Sequence, residues 1–231
     1  MNQFNLQLVV LDMAGTTVAV SDAVPAALHE AFEHEGLVLP PDAVAAMRGR
    51  SKREAIATLV ATLRPDRSDA DQLTDHIVER FRSVLRDRYA AGVAPIDGAA
   101  ATMQWLRSRS IKVCLTTGFD RELTELIMSS LRWGPELVDA VICADDVERG
   151  RPSPDMIFLA MKRAGVHDPG FVAVVGDTSA DLLSGRNAGA GVVIGVLTGA
   201  HGRDELLGHP HSVLLESVAD LPSWLAMHGA P

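Results

Sequence analysis

Two groups of acidic residues in this chain each follow an apolar, strand-like run. Asp12 comes directly after the run 8–11. Asp177 and Asp181 come shortly after the run 171–175. Parallel sheets hold their ligands just outside the carboxyl ends of the strands, so we expect these carboxylates to converge at one edge of a sheet. Because Mg²⁺ prefers a few carboxylates plus waters and substrate oxygens, the sequence predicts Mg²⁺ as a cofactor at this edge.

Asp12 is the candidate nucleophile of this site. A carboxylate can attack phosphorus and form an aspartyl-phosphate, which divides one difficult displacement into two easier steps. Asp181 follows Asp177 by one helical turn, so both side chains can face the same ion. The alternative is that Asp177 or Asp181 only caps the helix that follows.

Thr116 and Arg151 are the candidate partners of a phosphoryl group. Thr116 ends the apolar run 111–115, where its hydroxyl and nearby backbone N–H groups can hold a phosphoryl oxygen. Arg151 lies in a loop before a predicted helix, and its planar guanidinium suits phosphate oxygens and balances the charge of Asp12. The alternatives are an ordinary turn threonine and a solvated loop arginine.

The elements that position these residues alternate between strand and helix, which predicts an α/β fold with a doubly wound parallel sheet. Between residues 18 and 92 the pattern is helical throughout, as expected of an insertion. We therefore divide the 231 residues into a core, 1–17 and 93–231, and a helical domain, 18–92. The predicted strands are 8–11, 111–115, 140–143, 171–175 and 192–196; the predicted helices are 21–36, 52–63, 69–91, one ending near 108, 121–131, 153–164, one ending at 188, and 217–227.

Composition narrows the classes of partner. The net charge of −9 argues against nucleic acid, whose phosphates select basic surfaces. We expect no membrane partner, because no apolar run approaches the ~18 residues of a bilayer span. Two cysteines in apolar strands and no apparent signal peptide favour the cytoplasm. His201, His209 and His211 lack the spacing of a zinc site and are expected in a solvated loop, although His201 could approach the site.

Together these motifs resemble the haloacid dehalogenase superfamily of Mg²⁺-dependent phosphotransfer enzymes. Its four motifs match Asp12, Thr116, Arg151, and Gly176-Asp177 through Asp181, in the expected order. The resemblance implies that the backbone carbonyl of Ala14 is a further metal ligand. It also implies that residues 18–92 are the small cap domain that closes over the substrate.

One position departs from the common pattern of this superfamily. Most of its phosphatases carry a second Asp, the general acid for the leaving alcohol, where this chain has Ala14. A positioned acid typically contributes about 10²–10⁴-fold to a rate. Either another group therefore supplies the proton here, or the leaving group needs no proton from this position.

The form Asp-x-Ala-Gly-Thr-Thr resembles the phosphonoacetaldehyde hydrolase branch, which cleaves a carbon–phosphorus bond. In that branch a cap lysine forms a Schiff base with the substrate aldehyde, and Lys52 aligns with it. The resemblance makes Asp12, Lys52, Thr116 and Arg151 the catalytic residues. It implies substrate contacts from Gly15, Thr16, Met47, Gly49, Thr117 and Gly118. The expected partners are a small phosphonate or phosphate and, as an option left open, a second copy of the chain in a homodimer.

Lys52 is expected in the first turn of a helix beside three arginines. The positive helix end and the like charges disfavour its ammonium form, which predicts a lowered pKa. The alternative interpretation is that Lys52 and these arginines form a basic loop that only attracts an anionic substrate. Ala55 and Phe119 replace a histidine and a tyrosine of that branch. A phosphatase of small phosphate monoesters without imine chemistry, and a non-catalytic phosphate-binding or receiver-like module, therefore stay open.

Overall fold

The computed structural model describes residues 5–19, 22–40, 43 and 51–228. Its strands are β1 Leu8–Asp12, β2 Lys112–Thr116, β3 Ala140–Ile142, β4 Val172–Gly176, β5 Val192–Val196 and β6 Val213–Leu215. They form one parallel sheet in the order β3-β2-β1-β4-β5-β6. The chain switches direction across the sheet between β1 and β4, which is where such sheets bind ligands.

Helices cover both faces of this sheet. Those of the core are α4 Ala99–Ser108, α5 Arg121–Leu131, α6 Asp155–Ala164, α7 Ser179–Ala188, α8 Arg203–Leu207 and α9 Leu221–Met227. Alternate side chains of β1 point to opposite faces. Val9 and Leu11 pack in one apolar cluster with Met103 of α4. Leu8 packs on the other face with Ile157 of α6. The predicted α/β fold with a doubly wound parallel sheet is confirmed.

Within the described residues, the helices between β1 and α4 are α1 Ala23–His34, α2 Lys52–Leu63 and α3 Ala70–Ala90. Their buried side chains, such as Phe32, Ile56 and Ile77, join the apolar cluster on the Val9 face of the sheet. The segments that lead into and out of this helical insertion lie side by side. The N–H of Ala19 donates to the carbonyl of Ala94 at 2.9 Å, and that of Ile96 donates to Thr17 at 2.9 Å.

The predicted elements differ from the structure mainly at their ends and near the C-terminus. Helix α6 begins at Asp155 instead of 153, since the residue before a proline, here Ser153 before Pro154, is disfavoured in helical conformation. The predicted helix 217–227 is a 3₁₀ turn, Val218–Asp220, followed by α9, because Pro222 has no N–H to continue the ladder. The sequence prediction omitted β6 and α8. These elements have three and five residues, too few to show a period.

The expected start of the first helix at residue 21 lies outside the described residues. None of the helices in the described ranges has the length and apolar character that a bilayer span requires.

Candidate active site

The carboxylates of Asp12, Asp177 and Asp181 meet at the carboxyl edge of β1 and β4. Each offers an oxygen within 4.8 Å of those of the other two. All three residues are buried, with exposed fractions of 5%, 0% and 3%. Asp12 is the last residue of β1 and lies in register with Thr116 of β2, while Asp177 directly follows β4. The strand ends thus bring together side chains far apart in the sequence.

Asp177 is held by the turn after β1 and by the loop after β5. The Thr16 hydroxyl donates to its Oδ1 at 3.3 Å, and the N–H of Ala200 donates to its Oδ2 at 2.7 Å. Gly15 has φ +98°, and a Cβ there would collide with the Asp177 carboxylate. Only glycine tolerates this conformation and this close approach together. Thr16 and Gly15, expected at the substrate, therefore contact the carboxylate itself.

Asp181 divides its two carboxylate oxygens between the helix and the site. Its Oδ2 accepts from the N–H of Thr178 at 3.1 Å and from the hydroxyl of Thr178 at 2.5 Å, in a capping box at the start of α7. Its Oδ1 lies 2.8 Å from Nη1 of Arg151. Asp181 therefore caps α7 and also contributes to the site, two roles that the sequence analysis treated as alternatives.

Arg151 connects three elements of the site through its guanidinium. Its Nη1 lies 2.6 Å from Oδ1 of Asp12 and also contacts Asp181, and its Nη2 donates to the Thr116 hydroxyl at 3.0 Å. The side chain is 4% exposed, so it is not a solvated loop arginine. One arginine thus sets the relative positions of the candidate nucleophile and the candidate phosphoryl-binding threonine.

The charge of the carboxylates is not balanced by Arg151 alone. Burial raises the pKa of Asp12 to about 7, against the lowering effect of Arg151, and Asp181 raises it further. Burial also raises the pKa of Asp177 well above its usual range, with Asp12 and Asp181 as further causes. A divalent cation would offset this repulsion, and a donor set made of carboxylate oxygens fits a hard cation. The residues present therefore fit a metal site.

Lys52, the first residue of α2, approaches this site from the insertion. Its Nζ lies 5.9 Å from the centroid of the Phe119 ring. Burial lowers the pKa of Lys52 to about 8, although Asp12 raises it; Arg151 lowers it further. The direction matches the sequence prediction, but the main cause is burial and not the neighbouring arginines. Of these arginines, Arg53 is among the described residues, and its guanidinium lies 2.5 Å from the carboxylate of Asp75.

The remaining predicted contacts occupy the turns around the site. Ala14 lies between Asp12 and Gly15, and its methyl side chain offers no proton. The Thr117 hydroxyl accepts from the N–H of Phe119 at 3.1 Å and so shapes the turn that contains Gly118. Met47 and Gly49 lie outside the described residues.

The sequence prediction favoured a solvated loop after β5 and left an approach of His201 to the site as an alternative. Besides the contact from Ala200, the Thr198 hydroxyl donates to the carbonyl of Gly15 at 2.6 Å. His201 is buried, and its Nδ1 accepts from the N–H of Ser179 at 3.1 Å. A solvated position for His201 was therefore wrong. The signal that could have found this loop is its place after a strand next to β4, at the ligand-binding edge.

Comparison with known proteins places this geometry in a family. The family model of haloacid dehalogenase-like hydrolases matches residues 6–189. Among curated proteins, the chain is 29% identical to a phosphonoacetaldehyde hydrolase of Bacillus cytotoxicus, covering 82% of this chain and 76% of that protein. It is 27% identical to the phosphonoacetaldehyde hydrolase of Latilactobacillus sakei subsp. sakei, covering 98% and 90%.

Two solved structures share the fold. A hydrolase from Pseudomonas syringae has a TM-score of 0.84 at 22% identity, covering 96% of this chain and 98% of its own. A phosphonoacetaldehyde hydrolase like protein from Oleispira antarctica has a TM-score of 0.84 at 21% identity, covering 98% and 94%. From the family match and the arrangement of its buried carboxylates, this chain belongs to the haloacid dehalogenase-like hydrolases.

Proposed function

We propose that this hydrolase is a Mg²⁺-dependent, phosphonatase-like enzyme that cleaves a carbon–phosphorus bond in a small phosphonate of the phosphonoacetaldehyde type. The observation that carries the proposal is Lys52, whose pKa is lowered to about 8 beside a buried carboxylate cluster. Ala14, at the position of the usual general acid, agrees with a leaving carbon that needs an electron sink. The similarity to phosphonoacetaldehyde hydrolases supports the same substrate type.

Asp12, Asp177, Asp181 and the carbonyl of Ala14 are the groups that would hold Mg²⁺. When bound, the ion offsets the negative charges of the carboxylates and of the phosphoryl oxygens. The assignment of Mg²⁺ follows from the oxygen donors and from the class of reaction.

Asp12 acts as the nucleophile on phosphorus and forms an aspartyl-phosphate, which water then hydrolyses to phosphate. Arg151 holds the Asp12 carboxylate at 2.6 Å and supplies positive charge to the transferring group. Thr116, whose hydroxyl accepts from Arg151, and the N–H group of Gly118 lie at the end of β2, where phosphoryl oxygens can be bound. The N–H of Thr117 donates to the carbonyl of Ile142 at 3.0 Å, so Thr117 would contact the substrate through other atoms.

Lys52 acts on the carbon side of the bond that breaks. Its neutral amine condenses with the substrate aldehyde and releases water, and the imine nitrogen takes up one proton from solvent. When the carbon–phosphorus bond breaks, the electron pair moves towards the imine nitrogen and forms an enamine. Protonation at carbon and hydrolysis of the imine then release acetaldehyde and restore Lys52. Because the imine accepts the electrons, no acid is needed at Ala14.

Residues 18–92 act in this proposal as a cap domain on the core formed by 1–17 and 93–231. The cap supplies Lys52, while the core supplies the carboxylates. The side-by-side connecting segments at Ala19 and Ala94 agree with a domain that is joined at one place. A cytoplasmic location, a homodimer, and the absence of nucleic-acid and membrane partners stay predictions.

The second candidate function is a phosphatase of small phosphate monoesters that forms the same aspartyl-phosphate without an imine. Phe119 and Ala55 favour it: the ring carbons of Phe119 face Lys52, and Ala55 is a buried methyl group. Neither side chain can carry the protons that the histidine and tyrosine of the phosphonatase branch would carry. A non-catalytic receiver-like module is not favoured, since the family is one of hydrolases.

Phosphate release separates the two candidates. We expect turnover of phosphonoacetaldehyde with Mg²⁺ and inactivation by borohydride in the presence of this substrate. The peptide that contains Lys52 should then carry an adduct, and the added mass should be the same in repeated preparations. Lys52→Arg keeps the charge but cannot form the imine, and it should lose both turnover and adduct. Release of phosphate from monoesters alone, with no adduct, would replace the first candidate by the second.

A further inference from the structure

A chamber lies next to Lys52, between the helical insertion and the core. Its volume is about 270 Å³. Lys52, Gly118 and Phe119 line it, whereas the three carboxylates are not among the described residues of its walls. The chamber therefore adjoins the proposed imine position and meets the phosphoryl-binding edge at Gly118.

Part of the chamber wall is apolar. Val78 and Phe81 of α3 form the insertion side, and Phe119 and Leu123 form the core side. All four are buried, with exposed fractions of 5% or less. Val147 continues the wall on the core side and is half-buried. An apolar substituent placed here would leave water and contact apolar side chains.

Charges at the mouth narrow the class of substituent further. Glu54, Asp145 and Glu148 are exposed residues of the chamber lining. The lining cation Arg82 is paired with Asp120 at 2.7 Å. Arg53, likewise in the lining, is paired with an acidic residue of the insertion. The mouth is therefore unfavourable for a second anionic group at the distal end of a substrate.

We infer that the chamber receives a neutral, apolar substituent on the carbonyl carbon, so that the substrates include 2-oxoalkylphosphonates, R–CO–CH₂–PO₃²⁻. This inference rests on the proposed function. In phosphonoacetaldehyde R is hydrogen, which leaves the chamber to water. With a larger R the same reaction consumes one water: the carbon–phosphorus bond breaks, the carbon keeps the electron pair and takes a proton, and the products are R–CO–CH₃ and phosphate. No oxidant or reductant is needed.

The test is a series of ketones in which R is methyl, ethyl or propyl, assayed for phosphate release with Mg²⁺. Comparing ketones with each other removes the difference in reactivity between ketone and aldehyde. Each added CH₂ that is buried contributes about 0.8 kcal/mol, which predicts a rise of about four-fold in kcat/KM per step. A ketone of similar length that ends in a carboxylate should show no rise.

Two variants fill the chamber from opposite sides. Val78→Phe and Val147→Phe should remove the rise from methyl to propyl while the methyl ketone is still cleaved. Val38→Phe is the matched control, since Val38 is 82% exposed and does not line the chamber. Thermal unfolding of each variant identifies one that fails to fold, in which case the other decides.

Outcomes separate this inference from the proposed function. Suppose that phosphonoacetaldehyde and the methyl ketone are cleaved, but kcat/KM falls as R lengthens or rises equally in the filled variants. The chamber assignment is then overturned, while the proposed function still stands. If none of these phosphonates is cleaved and borohydride traps nothing on Lys52, the proposed function fails together with it.

Discussion

The carboxylate edge and the contact between insertion and core differ in how their polar groups are held. At the edge, Asp177 and Asp181 each bind backbone N–H groups, and Arg151 is buried against Asp12. Across the contact, Arg82 reaches Asp120 and remains 36% exposed. Buried, hydrogen-bonded charges fix a geometry, whereas exposed pairs contribute little. Under the proposed function, phosphoryl transfer therefore depends on the core alone, whereas the chemistry at the substrate carbon depends on how the insertion docks.

The docking contact centres on two consecutive core residues. Phe119 packs edge-on against Tyr89 of α3, with ring centroids 6.0 Å apart, and also faces Lys52. Asp120 caps α5 by accepting from the N–H of Leu123 at 2.9 Å and pairs with the insertion. Because these residues follow the Thr117-Gly118 turn, the position of Lys52 is tied to the proposed phosphoryl site.

A substitution of the candidate nucleophile tests the carboxylate edge of the core, and we expect it to have a larger effect than the others. Asp12→Asn keeps a side chain of the same shape and a hydrogen-bond acceptor for Arg151, but removes the nucleophile. We expect turnover to fall by about 10⁴-fold or more, with the thermal midpoint unchanged or higher because one repelling charge is gone. Phosphate release and thermal unfolding are the measurements. Retained turnover would refute Asp12 as the nucleophile.

Ala14→Asp tests whether a missing acid limits the core. A positioned acid contributes about 10²–10⁴-fold, so hydrolysis of simple phosphate esters should rise by about 10²-fold. Ala14→Asn, which has the same shape and no acidic proton, is the control. Equal rates in both variants would mean that fit to the insertion, and not the acid, limits ester hydrolysis.

The pH dependence of imine formation tests the proposed role of Lys52 in the insertion. The pKa of Lys52 is lowered to about 8, so its reactive neutral form gains as pH rises and is half-populated near that value. Borohydride trapping should therefore rise about ten-fold per pH unit below about 7 and level off above about 9. Lys52→Arg should show no adduct at any pH. A trapping rate that keeps rising to pH 10 would contradict the lowered pKa.

The smallest expected effect compares two ion pairs of the docking contact. Arg82→Gln removes the pair with the 15%-exposed Asp120, and Arg86→Gln removes the 2.8 Å pair with Glu122, which is 69% exposed. Exposed pairs contribute about 0.2–1 kcal/mol, so we expect KM to rise about three- to five-fold for Arg82→Gln and less than two-fold for Arg86→Gln. Arg82→Lys should restore most of the loss. Equal effects of the two substitutions would show that docking does not depend on Asp120.

Periodicity predicted the elements of the fold well where they are long or fully buried. Helices α2 and α5 and strand β5 have the predicted bounds, Lys52–Leu63, Arg121–Leu131 and Val192–Val196. The edge strand β6 and the short helix α8 were omitted, because elements of three and five residues do not show a repeat. Asp120 and Gly189, by contrast, mark a helix start and a helix end by residue type alone.

The candidate site was predicted in part for the same reason. Asp12, Thr116 and Asp177 each end or follow a strand, so their meeting could be inferred from a parallel sheet. The contacts of Ala200 and Thr198 could not, because a backbone N–H carries no mark in the sequence of what it will bind. His201 was assigned to solvent for a related reason: its burial depends on the start of α7, which is distant along the chain.

By itself, the sequence determined which groups stand at strand ends, since an apolar run followed by a carboxylate is a local pattern. It also determined that Ala14 provides no acid. The packing of the whole chain was needed to bring Lys52 of the insertion near the carboxylates, to lower its pKa through burial, and to leave a chamber beside it. Burial, pKa and cavity volume are set by side chains far apart in sequence, and they exist only once the chain has packed.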